Sequence, residues 1–294
     1  MRKEFIETTS KIVQENFNSA LLLGDISVFG FKNLLEKEPY RAFNLGILEQ
    51  SIVGIGAGFA MKGFFPFIHT IAPFLVERAY EQIKIDFGYQ KLPGNFVSVG
   101  SSFDYSTLGC THHCPADIHL ISNIPGTKIF IPGHAHELQT SIVSNWNSGR
   151  LNYFRLSELK NKKPIEKFEN STFRVKNGRK ALVIAVGPML QPLLDCLQNE
   201  DVEIRYLNEI DTKSTLKIPE LNNHKKLIIV EPYYSGVILN NLELDSLNGI
   251  QVLQIGVRKE FIEKYGTIND ILNFLQLDSK SLFDKITNFV YERK

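Results

Sequence analysis

Phe5, Ile6, Ile12 and Val13 fall near one face of a helical projection and predict a helix over residues 3–16. The run Ala20 to Leu23 is uninterrupted and apolar, closes at Gly24-Asp25, and predicts a short buried strand. Residues 48–62 predict a second helix, small and apolar on most faces, with Gly54, Gly56 and Gly58 permitting close packing. Phe64 to Ile68 predicts a strand and residues 75–88 another helix. Asn95 to Val99 and Lys128 to Ile131 are further strand candidates, each bounded by Gly or Pro. Strands alternating with helices predict an α/β layer fold with a mostly parallel sheet.

The pattern breaks in the polar, turn-rich stretch ELKNKKPIEKFENSTFRVKNG, which ends at Gly178. Beyond it Ala181 to Val186 and Glu203 to Leu207 predict strands on either side of a helix over Met189 to Gln198. Lys226 to Val230 predicts a buried strand ending at Glu231-Pro232, and the chain is helical from Ile268. The expected organisation is a first domain over 1–158, a linker over 159–178 and a smaller α/β domain over 179–294. No internal repeat or low-complexity tract interrupts it.

Composition narrows the function classes. The 294 residues are 43% hydrophobic and 22% charged, as in ordinary globular proteins, and long enough for a sizeable core. The net charge of +1 makes no electrostatic case for nucleic acid or a membrane surface. No run of about 18 apolar residues predicts a membrane span. The apolar residues of the first 25 positions are interrupted by charges, so a signal peptide is not expected. Three cysteines, Cys110, Cys114 and Cys196, are too few for a disulfide framework and fit a reducing cytoplasm. Cys110 and Cys114 flank His112 and His113, but no second ligand pair follows at a zinc-site spacing.

Two segments carry candidate chemistry. Asn44-Leu45-Gly46-Ile47-Leu48-Glu49-Gln50 sets a carboxylate at the start of the glycine-rich helix. By itself Glu49 reads as a first-turn acid that complements the helix dipole, since acidic residues are common there. Leu108-Gly109-Cys110-Thr111-His112-His113-Cys114-Pro115 reads as a loop presenting two histidines. Loops after strands are frequent catalytic positions, and solvated loop histidines remain the alternative.

The ordered set resembles a known family. It runs from Gly46 and Glu49-Gln50, through Gly58, Ala60, Gly63, Pro66 and Phe74-Leu75, to Gly109, Thr111-His112 and Ile124-Pro125. In the second half Gly178-Arg179-Lys180-Ala181-Leu182, Val230-Glu231, Ile255-Gly256 and Tyr265-Gly266-Thr267 continue it. This resembles the pyrimidine-binding and C-terminal domains of the transketolase and deoxyxylulose-phosphate synthase family. The resemblance implies a thiamine-diphosphate enzyme. In that family a Glu, matched by Glu49, donates a hydrogen bond to the aminopyrimidine ring and so helps the thiazolium carbon lose its proton. His112 matches the histidine that handles charge on the substrate oxygens. Ile47, Phe74 and Tyr80 are implied neighbours of the cofactor ring; Leu108, His113 and Arg155 are implied substrate neighbours.

The family's diphosphate site uses a metal held by Gly-Asp-Gly…Asn, and Gly24-Asp25-Ile26 lacks that pattern. The resemblance therefore implies the C-terminal subunit of a two-chain transketolase. A partner N-terminal subunit would hold the diphosphate and Mg or Ca, within an α2β2 heterotetramer; no metal ligand is expected here. Some positions depart from the family. Leu108 stands where sugar-using members have Asp, Glu158 where an Arg grips phosphate (with Arg155 a shift away), uncharged Gly100 and Ser101 near a second basic position, and Glu77 where an aromatic covers the pyrimidine. A Glu repels phosphate, so a sugar phosphate bound in the usual manner is not expected. The alternatives are the β subunit of a 2-oxoacid dehydrogenase first component, and a non-catalytic interaction subunit.

Overall fold

The computed structural model describes residues 1–165, 172–218, 221–243 and 247–292; residues 166–171 of the expected linker lie outside them. The first half runs α1 (Arg2–Glu15), β1 (Ser19–Leu23), α2 (Val28–Lys37), β2 (Ala42–Asn44), α3 (Glu49–Met61) and β3 (Phe65–Ile71). A helical stretch follows, with π-helical turns Pro73–Arg78 and Ile83–Tyr89 around α4 (Tyr80–Gln82). Then come β4 (Gly94–Val99), α5 (Asp117–Ser122), β5 (Lys128–Phe130), α6 (Ala135–Asn145) and β6 (Leu151–Arg155). The second half runs β7 (Phe173–Lys176), β8 (Leu182–Val186), α7 (Leu190–Cys196), β9 (Glu203–Leu207), β10 (Glu209–Asp211), β11 (Lys226–Tyr234), α8 (Val237–Asn240), β12 (Gln251–Val257), α9 (Ile268–Leu275) and α10 (Ser279–Tyr291).

Among the described residues the strands form two sheets, ordered β10-β5-β6-β4-β3-β1-β2 and β12-β11-β8-β9-β7. All neighbours are parallel except β10 on β5 and β7 on β9. The fold is thus mixed α/β with mostly parallel sheets. The apolar runs at 20–23 and 182–186 become β1 and β8, buried on both faces, which is why they do not alternate. Leu22, Ile68 and Phe96 of the first sheet share one buried cluster with Leu182, Ile184 and Leu227 of the second.

One strand departs from the expected division. Residues 209–211, placed by sequence in the second domain, form β10 on the edge of the first sheet. Ile210 is buried there, and Arg150 grips Asp211 with two hydrogen bonds of 2.7 and 2.6 Å. Lys128 pairs with Glu209 at 2.9 Å. These partners lie far away in sequence, so no local pattern announces them.

Helix α3 shows how packing aims the site. It buries Ile52, Val53, Gly56, Ala57 and Ala60 along one stripe. At Gly56 an added Cβ would come within 2.5 Å of Ile68 Cδ1, so glycine lets the helix lie close on β3. That brings Glu49, its first residue, in over the carboxyl ends of the strands. No helix among the described residues is long and apolar enough to cross a membrane.

Candidate active site

Glu49 follows β2, Phe74 follows β3 and His112 follows β4. All three stand at the carboxyl ends of parallel strands, where open α/β sheets bind ligands. Glu49 is only 1% exposed. Its Oε2 accepts a hydrogen bond from Arg78 Nη1 at 2.7 Å, while its Oε1 is buried with no hydrogen-bond partner. An unpaired buried oxygen is costly, so it marks a place for an outside donor. The Arg78 guanidinium lies 4.3 Å over the Phe74 ring. Phe74 meets the His112 ring edge-on at 5.4 Å, and Tyr105 meets its other side at 5.9 Å. Thr111 Oγ1 lies 3.0 Å from His112 Nδ1.

The histidine loop is held from a distance. Gly109 adopts φ +74°, and an added Cβ there would meet the Tyr265 ring at 2.4 Å. Only glycine suits both the turn and that contact. Ser102 Oγ donates to the Pro232 carbonyl, and Tyr234 N–H donates to the Pro115 carbonyl at 3.0 Å. The second sheet therefore braces the loop that carries His112.

The structure joins Glu49, Phe74 and His112 in one chain of contacts, while Ile47 and Leu108 sit exposed. Glu77 is exposed, and Phe74 lies against the Arg78 guanidinium that pairs with Glu49. Three expected neighbours lie inside the chain. Arg155 is 1% exposed, with Nε 2.7 Å from Asp117 Oδ2 and Nη2 2.6 Å from Ser102 Oγ. His113 turns inward, is buried, and has its imidazole held below its ordinary pKa by that burial. Tyr80 packs against the apolar core, and burial pushes its hydroxyl up. Sequence reasoning missed Arg78, although it lies one helical turn beyond Phe74. It also missed Tyr105, for which no spacing gives a signal, and took Tyr265 only as part of the Tyr265-Gly266-Thr267 motif, without its contact with Gly109. Cys110, Cys114 and Cys196 are free thiols, and no group of three His, Cys, Asp or Glu among the described residues could hold a metal ion.

A cavity of about 380 Å³ opens beside this cluster, lined in part by Arg2, Gly100, Asp104, Ser157, Glu158 and Lys160. Arg2 Nη2 donates to Tyr105 Oη at 2.7 Å, linking the cavity to the His112 neighbourhood. Glu158 and Gly100 line it, together with the cationic side chains of Arg2 and Lys160. Asp104 accepts from the N–H groups of Ser101 and Glu158 at 3.0 and 3.1 Å, and from Ser157 Oγ at 3.3 Å. Burial still pushes its carboxyl up to about 7 from 3.8. A raised folded value means that the group's stabilising effect is full below about pH 4 and is lost as pH rises through about 7. Asp104→Asn preserves the acceptor and removes the charge. Its stability relative to wild type should therefore improve between pH 4 and pH 8 in urea titrations; a gap that does not change with pH would show an unperturbed carboxyl.

The family description "Transketolase, pyrimidine binding domain" matches residues 6–161. An uncharacterized 33.6 kDa protein in the fasciation locus of Rhodococcoides fascians is 32% identical over 291 residues, 97% of this chain and 93% of that protein. The 1-deoxy-D-xylulose-5-phosphate synthase of Clostridium acetobutylicum is 30% identical over 281 residues, covering 88% of this chain and 44% of the synthase. The chain thus spans less than half the length of such synthases. One of the subunits of the apulose-4-phosphate transketolase of Actinobacillus succinogenes is 28% identical over 185 residues, 59% of this chain and 58% of its own length. Among solved structures, one described as a split gene transketolase, inactive beta4 tetramer, superposes with a TM-score of 0.83 at 21% identity, covering 100% of this chain and 99% of that one. The transketolase of Campylobacter jejuni gives 0.80 at 16% identity, over 98% of this chain and 46% of that one.

Proposed function

The chain belongs to the transketolase family, and we propose that it supplies the pyrimidine-side half of a thiamine-diphosphate-dependent ketol-transfer site completed by a partner subunit. The observation that carries this reading is Glu49: a buried carboxyl with one oxygen unpaired, linked through Arg78 to the Phe74 ring, which in turn meets the loop histidine His112. Those residues fit the pyrimidine end of thiamine diphosphate, which when bound supplies the carbanion chemistry needed to carry a two-carbon unit. Glu49 Oε1 is placed to share a proton with a ring nitrogen. Phe74 offers an apolar face to a planar ring, and His112 can give or take a proton at a substrate oxygen. The second-sheet brace holds His112 in place.

The fit ends at the pyrimidine. The described residues offer no metal-donor set and the sequence has no Gly-Asp-Gly…Asn, so we assign the diphosphate and its Mg or Ca to the partner. The outer face of α3 supports such a partner. Ile47 and Met61 are each 65% exposed, Leu48 and Ile55 are also exposed, and Gly54 and Gly58 leave room for a close-packed neighbour. This apolar stripe starts at the residues flanking Glu49, so a chain docked there would complete the site it borders. An α2β2 heterotetramer follows from one such contact combined with a two-fold pairing. An anionic substrate end would find its partners in Arg2 and Lys160 rather than at positions 101 and 158.

Reconstitution tests the reading. The chain alone should bind thiamine diphosphate only weakly, and a transketolase-type partner should confer tight, metal-dependent binding and ketol transfer. Calorimetry that finds tight, metal-dependent binding to the isolated chain would overturn the two-subunit assignment. Turnover of a 2-oxoacid with a dye acceptor, without ketol transfer, would favour the 2-oxoacid dehydrogenase reading.

A further inference from the structure

We propose that Arg78 is a gate on the pyrimidine site, closed in the free chain and displaced when the cofactor ring enters. The inference rests on the reading of Glu49 and Phe74 given above. Arg78 occupies the space that reading gives to the ring: it pairs with the other carboxyl oxygen of Glu49 and lies on the Phe74 face. Its Nη1 donates to Glu49 Oε2 at 2.7 Å, and its planar guanidinium lies 4.3 Å over Phe74. A flat N–H donor stacked on the aromatic and facing the carboxylate is a stand-in for an aminopyrimidine. The guanidinium and an aminopyrimidine ring cannot both lie on the Phe74 face beside Glu49, so Arg78 must leave for the ring to enter.

The structure allows that departure. Glu49 is buried, but the Arg78 side chain is 40% exposed. It stands at the end of the π-helical turn Pro73–Arg78, a kind of widened turn frequent at functional sites. The core contacts of this segment are made by Leu75, Val76 and Ala79, so the guanidinium can swing outward without opening the core.

The test is calorimetric titration of the full isolated chain with thiamine, which carries the ring without the diphosphate. Arg78→Met should bind thiamine about three- to tenfold tighter than wild type, because a partly exposed ion pair and a cation–π contact no longer compete. Arg78→Lys, which keeps the charge but loses the planar stack, should fall between. Adding Glu49→Gln to Arg78→Met should remove the gain. Equal or weaker binding by both Arg78 variants, with wild-type melting behaviour, would overturn the gate and leave the pyrimidine site standing. Binding insensitive to Glu49→Gln in every background, or no binding at millimolar thiamine, would overturn the site reading and the gate with it.

Discussion

In the proposed two-subunit enzyme, Glu49→Gln should leave the chain folded and the complex assembled, and lower ketol-transfer turnover by about two to four orders of magnitude. The amide keeps the shape of the side chain, so the packing of Ile52, Val53 and Gly56 against the sheet is undisturbed. It cannot serve as the acid that the unpaired Oε1 is placed to be. The ion pair with Arg78 is lost, but Arg78 is partly exposed and such pairs contribute about 0–1 kcal/mol. Fold and function therefore separate cleanly at this residue. Steady-state rates of the reconstituted complex, with circular dichroism and size-exclusion profiles alongside, make the measurement. A rate near wild type would reassign Glu49 to the dipole of α3.

The second large effect is on stability. Arg155→Met should cost about 3–5 kcal/mol, because removing one member of a buried pair leaves the other charge uncompensated. Arg155 and Asp117 are 1% and 0% exposed, and Tyr153 Oη also donates to Asp117 at 3.1 Å. The same guanidinium donates to Ser102, which donates onward to Pro232, and lies 5.5 Å from the Tyr233 ring centre. One side chain thus ties β6, the loop after β4, α5 and β11 together. Methionine keeps the aliphatic length but offers Asp117 no donor. Urea midpoints give the loss, and adding Asp117→Asn should recover part of it, since the stranded charge is then gone. A loss of under about 1 kcal/mol, the value of a surface pair, would show that water reaches the site. Because this network braces the His112 loop, kcat should fall with stability in Arg155→Met, whereas Glu49→Gln moves kcat alone.

The sequence by itself determined the layer class and the placement of β1, β8 and α3, and it singled out two residues of the candidate site. Those features are local. A run such as Leu21-Leu22-Leu23 or the 3.6-residue spacing of Ile52, Val53 and Ala57 states its own burial. Glu49 at a helix start and His112 in a glycine-bounded loop stand out within a few neighbours. Helix α2 escaped although Val28, Phe31, Leu34 and Leu35 recur at helical spacing, and strand β2 escaped because three residues, Ala42-Phe43-Asn44, are too few to show a period. Only the tertiary structure decided how the remaining polar groups are used. Arg155, a candidate phosphate grip by sequence, turns inward because Asp117, 38 residues away, supplies its countercharge. Residues 209–211 join the first sheet because Arg150, 61 residues from Asp211, holds them there. Arg78 reaches Glu49 across 29 residues, and Tyr265 closes over Gly109 from the far end of the chain. Hydrophobic periodicity is written along the chain, whereas a charge or hydrogen-bond donor acquires its role from whatever folding brings within about 3 Å of it.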